Sequence, residues 1–119
     1  MILLGQYCRI LDGWRLSIPS EWARVFCAGR GVVAIKLSNG RLALTTKEKA
    51  ETTPNVELSK GVYCKMDARG RVTIPEAFRS LFNGAKGVEM VGMANHVEVR
   101  GRPGMRLFRS KDDLTNGTA

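Results

Sequence analysis

Asp67, Arg69, Gly70 and Arg71 fall within five positions of the stretch MDARGRVTIP, residues 66–75. An aspartate at the start of a turn can accept backbone N–H bonds and hold a nearby arginine in place. An arginine held this way offers a planar fork of donors. That fork fits a phosphate, or the O6/N7 edge of guanine. The chemistry on offer is recognition of an anion, with Asp67, Gly70 and Pro75 building the frame. A blurred copy, ILDGWRLSIP, lies fifty-six residues earlier and carries Asp12, Arg15 and Pro19. There the aspartate-to-arginine spacing is one residue shorter, and Trp14 stands opposite Gly70.

Catalytic arrangements are not found. The single histidine, His96, has no nucleophile near it in sequence and is too few for a histidine-based zinc site. Glu89 and Glu98 straddle the last turn and read as exposed rather than as an acid–base pair. No glycine-rich phosphate loop occurs. Cys8, Cys27 and Cys64 form no C-x-x-C pair and leave one cysteine over, which suits a reducing compartment better than a disulfide framework. Cys8 and Cys64 recur at matching strand positions and read as small buried residues; Tyr7 and Tyr63 read as core or interface. The expectation is a protein without enzymatic activity, metal, cofactor or small-molecule substrate.

The charge points to a polyanionic partner. Net charge is +8 with a pI near 9.9. Residues 1–46 carry six basic and two acidic side chains, and residues 61–111 carry ten basic and four acidic. Residues 47–60 are neutral. Two positive halves therefore flank a neutral joint. Arg100, Arg102, Arg106 and Arg109 form a second basic run, either solvated or making auxiliary phosphate contacts. No apolar run approaches the ~18 residues of a membrane span, and the N-terminus lacks a signal-peptide pattern.

The elements that must position these residues come in two copies. Sliding the chain by 56 aligns residues 5–39 with 61–95 without gaps and gives ten identities, including Gly5/Gly61, Tyr7/Tyr63, Cys8/Cys64, Arg15/Arg71 and Pro19/Pro75. Each copy reads as a strand (GQYCRIL or GVYCKM), a turn, a short strand (RLSI or RVTI), a proline-opened helix and a second hairpin. Trp22, Val25 and Phe26 fall on one helix face, and Phe78, Leu81 and Phe82 on the other. The second hairpins are VVAIKLS-NG-RLALTT and VEMVG-MAN-HVEVRG; Asn-Gly between alternating apolar runs is a strong hairpin signal. A unit of this size cannot bury enough surface alone, so the copies must pack together about a pseudo-two-fold axis. The expected organisation is a first repeat at 1–46, a linker at 47–60 with a helical turn near KEKAE, a second repeat at 61–102 and a tail at 103–119.

A hairpin whose second strand reads D-x-x-G-R-apolar-[Ser/Thr]-I-P, followed by a short helix and another hairpin, resembles the swapped-hairpin AbrB fold. Two such copies in one chain resemble the MraZ family. The residues that carry this are Asp67, Gly70, Arg71, Ile74 and Pro75 in the second copy, with Gly5, Asp12, Arg15, Ile18 and Pro19 in the first. The resemblance implies a mainly β fold with short helices, its hairpins interleaved into a small swapped-hairpin barrel. It implies a transcriptional regulator, cytoplasmic and nucleoid-associated. Such a regulator would bind double-stranded DNA as a homo-oligomer, in rings, on promoter direct repeats of a cell-division and cell-wall gene cluster. Arg9, Arg15, Lys65, Arg69 and Arg71 are the expected DNA contacts, with Asp12, Asp67, Gly70, Pro19 and Pro75 structural. Two rivals remain: an AbrB-class antitoxin whose tail holds a toxin, and an assembly module without DNA binding.

Overall fold

The computed structural model describes residues 3–11, 13–28, 31–51 and 60–103. In chain order the elements are strands β1 (Leu3–Ile10) and β2 (Arg15–Ser17), helix α1 (Ser20–Ala28), strands β3 (Val32–Lys36) and β4 (Leu42–Thr45), and helix α2 (Lys47–Ala50). Strands β5 (Val62–Cys64) and β6 (Arg71–Thr73), a 3-10 helix (Glu76–Phe82), and strands β7 (Ala85–Ala94) and β8 (Val97–Pro103) follow. The chain is mainly β with short helices, as the alternating apolar patterns require.

Strand pairing exchanges partners between the repeats. One antiparallel sheet runs β1-β7-β8-β4-β3-β5, and β2 and β6 form a separate two-stranded ribbon. The first strand of each repeat therefore pairs with the third strand of the other. The short second strands pair with each other, and so do the last strands. The expected closed barrel is not what forms. The sheet has two open edges, β1 and β5. Beyond each, the chain turns away into the ribbon instead of completing a ring. With only three residues, β5 also offers little edge for closure.

Each helix begins just after its Ile-Pro step. The Pro19 carbonyl accepts the N–H groups of Trp22 and Ala23, and the Pro75 carbonyl accepts that of Phe78. Trp22, Val25 and Phe26 bury the inner face of α1, and Phe78 and Phe82 that of the 3-10 helix. They pack on Leu16, Ile18, Val32, Leu44, Val72, Ile74, Val88, Met90, Val97 and Val99 in one core drawn from both repeats. In the linker, the expected helical turn is α2, capped by the Thr46 hydroxyl, which accepts the Lys49 N–H at 3.2 Å.

The register corrects the gapless repeat. β1 pairs with β7 as Cys8↔Glu89, whereas β5 pairs with β3 as Cys64↔Val32. A 56-residue offset would place Cys8 opposite Val88. An offset of 55 brings the two first strands into the same register. Arg9 then matches Cys64, Ile10 matches Lys65 and Leu11 matches Met66. From β2 onward the offset is 56: the Ile18 N–H donates to the Gly70 carbonyl at 2.9 Å, and Ile74 to Trp14 at 2.7 Å. The first turn of repeat one is thus a residue shorter. The second hairpins show the reverse, with Leu37 bonded to Arg41 around three loop residues and Met93 to His96 around two.

This slip matters because side chains alternate faces along a strand, so a one-residue shift exchanges inside for outside. Gly5/Gly61, Tyr7/Tyr63 and Cys8/Cys64 are identities in sequence but not counterparts in structure. Cys8 is exposed, contrary to expectation, whereas Cys64 is buried and its thiol is pushed up to about 11 by that burial. Tyr7 packs edge-on against Trp22 at 4.9 Å, while Tyr63 is exposed.

Candidate nucleic-acid interface

The ribbon starts from one central pair, Leu16↔Val72, with both side chains buried. Alternation then sends the flanking residues to the opposite, solvent face. Arg15 pairs with Thr73, and Ser17 with Arg71. Arg15 and Arg71 are therefore diagonal neighbours on one face, within reach of each other's long side chains. Two guanidinium groups with hydroxyl-bearing neighbours make a compact, positively charged donor surface.

The second turn is fixed by Asp67. One carboxylate oxygen, Oδ1, accepts the backbone N–H groups of Arg69 and Arg71, both at 2.9 Å. The other, Oδ2, accepts Arg71 Nε at 2.9 Å. The Arg71 N–H bond is the main reason the Asp67 carboxyl lies below its ordinary range; the Arg71 side chain and the Arg69 N–H add to it. Gly70 closes the turn at φ +76°, where it avoids the cost a Cβ would bring. Arg71 is thus held through the Nε of its guanidinium, and its side chain is half-buried. Arg69 stands exposed at the tip.

The other expected contacts are placed differently. Arg9 lies on the inner side of β1, half-buried, with its guanidinium 5.5 Å from the Tyr7 ring centre. Its Nε is buried without a hydrogen bond. Lys65 is exposed and lines an open cavity of about 360 Å³ with Phe26, Cys27, Gly31, Tyr63, Cys64 and Met66. The two basic residues are not equivalent, because the 55-residue offset matches Arg9 with Cys64 and Lys65 with Ile10. The structure thus brings Arg15, Arg69 and Arg71 onto the ribbon and its tip, and sets Arg9 and Lys65 apart from each other. Pro19 is buried and Pro75 half-buried. Asp12 lies outside the described residues, as do Arg106 and Arg109.

Residues 58–114 match a family model described as MraZ protein, putative antitoxin-like. Over that span, just under half of the chain, the sequence is similar to the MraZ family. The match falls on the second repeat, where the aspartate-to-arginine motif has its full length, and it agrees with the resemblance read from the sequence. The first repeat lies before the matched residues and is tied to the second through strand exchange and the matching Ile18 and Ile74 hydrogen bonds. A comparison with curated proteins gives no match.

Two clusters escaped sequence reasoning. Glu89 is held by Arg100 at 2.6 Å, Gln6 at 2.6 Å and Arg102 at 3.1 Å. The Arg100 bond leads in lowering its pKa, burial opposes it, and Gln6 adds to the lowering. Glu98 pairs with Arg41 at 3.1 Å and His96 at 3.3 Å. Neither glutamate is exposed as expected. Arg100 and Arg102 share the Glu89 carboxylate, as Arg71 holds that of Asp67. Only the strand register, invisible in sequence, brings Gln6 and Arg100 to Glu89.

Among the described residues, no group of three or more His, Cys, Asp or Glu side chains could hold a metal ion. No helix there is long and apolar enough to cross a membrane.

Proposed function

We propose that this chain is a MraZ-like transcriptional regulator that binds double-stranded DNA through the β2–β6 ribbon. The observation that carries this reading is the diagonal of exposed Arg15 and half-buried Arg71 on the outer ribbon face, set by the buried Leu16↔Val72 pair. Phosphate contacts from such arginines supply affinity and orientation, and a few base-edge contacts supply specificity. The reciprocal strand exchange fits a swapped-hairpin architecture. Action as an oligomer on promoter repeats is supported by the family match and by β1, an open edge strand bearing exposed Leu4 and Ile10 beside exposed Met93.

The test is fluorescence anisotropy with a labelled duplex taken from upstream of the protein's own coding sequence, alongside a scrambled duplex. Arg15→Ala and Arg71→Ala each weaken binding at moderate salt. If both variants bind as tightly as wild type at every salt concentration, the ribbon is not the interface.

A second reading is favoured by the family's description as antitoxin-like. On it, the same DNA-binding body also holds a partner protein through the tail at 103–119. Purification from the native cell separates the two, because only the second reading predicts a stoichiometric partner that is lost when the tail is removed.

A further inference from the structure

We infer that the two hairpin tips meet DNA unequally, so that one protomer reads its site in a single direction. The inference rests on the DNA reading above and adds polarity to it. Both tips share one anchor. Each ends on a residue in the left-handed region, Trp14 at φ +79° and Gly70 at φ +76°. The carbonyl of each accepts the N–H of the isoleucine before the other repeat's proline. From that common anchor the tips diverge.

Tip two has one residue more and presents Arg69. Asp67 fixes the backbone N–H of Arg69, so the arginine projects from a braced turn. Repeat one has no arginine between Leu11 and Arg15. Its left-handed position holds Trp14, half-buried beneath Arg79, whose guanidinium carbon lies 5.3 Å from the ring centre. Arg79 Nε also donates to the Ile74 carbonyl at 3.0 Å. At the equivalent contact across the pseudo-two-fold, Ala23 faces Gly70, where an added Cβ would lie 4.0 Å from the alanine Cβ. A bulky tip and a long cation in one half thus replace a glycine and an alanine in the other. The cation in the bulky pair packs on the tip instead of extending from it.

A two-fold reader would offer the same donors to both ends of its site, and palindromic DNA would suit it. This ribbon offers matched arginines in the middle, a further arginine at one end and an indole at the other. Its footprint gains at least one phosphate contact on the repeat-two side.

The experiment measures log K against log salt for three full-length proteins on one duplex. The variants are Arg69→Ala and a chain whose Gly13-Trp14 is replaced by Ala-Arg-Gly. Arg69→Ala flattens the slope by about 0.9, and the graft steepens it by about the same amount, one phosphate each. Arg69 is exposed, so the first arm stands even if the graft folds poorly. Wild-type binding with a slope unmoved by Arg69→Ala overturns this inference alone. Failure of the wild-type protein to bind any duplex overturns both this inference and the DNA reading.

Discussion

The two repeats are built from one pattern, but they use it at different lengths. In repeat one the first strand runs eight residues along β7; in repeat two it runs three residues along β3. Repeat one folds its helix as nine α residues; repeat two uses seven in a 3-10 helix. Trp22 is fully buried and donates its indole N–H to the Leu4 carbonyl at 2.8 Å, tying α1 to β1. Its counterpart Phe78 makes no such bond and is slightly more exposed. Repeat one is therefore the stronger frame, while repeat two keeps the fuller arginine turn. A duplicated fold can divide its work this way because each repeat's core is completed by the other.

The largest test of that division is truncation of the helix anchors. Trp22→Ala should cost about 3–5 kcal/mol. Phe78→Ala should cost visibly less, since it breaks no bond to an edge strand. Urea unfolding of the two variants checks this, and a larger loss at Phe78 would reverse the assignment of the stronger frame.

Next comes the long crossing of β1 over β7. A Cβ at Gly92 would meet the Leu3 carbonyl oxygen at 2.6 Å and Leu4 Cα at 2.7 Å, and both are backbone atoms that cannot swing aside. Gly92→Ala should cost about 1–3 kcal/mol. The counterpart in repeat one is Lys36, exposed at the end of β3 and beyond the reach of the short β5. Lys36→Ala should stay within about 0.5 kcal/mol. Equal losses at the two positions would mean that the close approach of β1 is not what sets them apart.

The Asp67 turn makes a pH prediction. The folded carboxyl titrates below its ordinary 3.8, so its contribution is fully present above the unfolded value and is lost as pH falls through the lowered one. The stability gap between wild type and Asp67→Asn should be flat near neutrality and shrink below about pH 4. A gap that stays constant into strong acid would remove the charge from the explanation.

A small effect is also expected at Trp14. A left-handed backbone costs a residue with a side chain roughly 1–2 kcal/mol, and the Arg79–indole contact returns about 0.5–1 kcal/mol. Trp14→Gly should therefore shift stability by no more than about 1 kcal/mol in thermal melts. A large loss would show that the indole does more for the fold than cover one turn.

Much of the fold was legible because it is written in local patterns. Alternating runs marked the strands, Ile-Pro marked both helix starts, and Asn39-Gly40 marked a hairpin. In the candidate site, Asp67, Arg69 and Arg71 were legible from turn chemistry. Register was not legible. The three identities around Cys8 and Cys64 invited a gapless match, and one missing residue in the first turn was enough to turn those side chains to opposite faces. That same slip separated Arg9 from Lys65. The Glu89 and Glu98 clusters were hidden for a related reason: hairpin register sets Arg100 and Arg102 against Glu89, and Gln6 and Arg41 arrive on strands distant in sequence. The open sheet was hidden as well, since closure depends on the length of β5 as an edge.

The central claim is that the exposed face of the β2–β6 ribbon meets DNA. Backbone amide NMR shifts recorded while a short duplex is added test it most directly. The account predicts that shifts and line broadening concentrate on residues 13–17 and 67–73, with the repeat-two turn moving most. Perturbations confined to β1 and β7, with the ribbon amides unmoved, would contradict it.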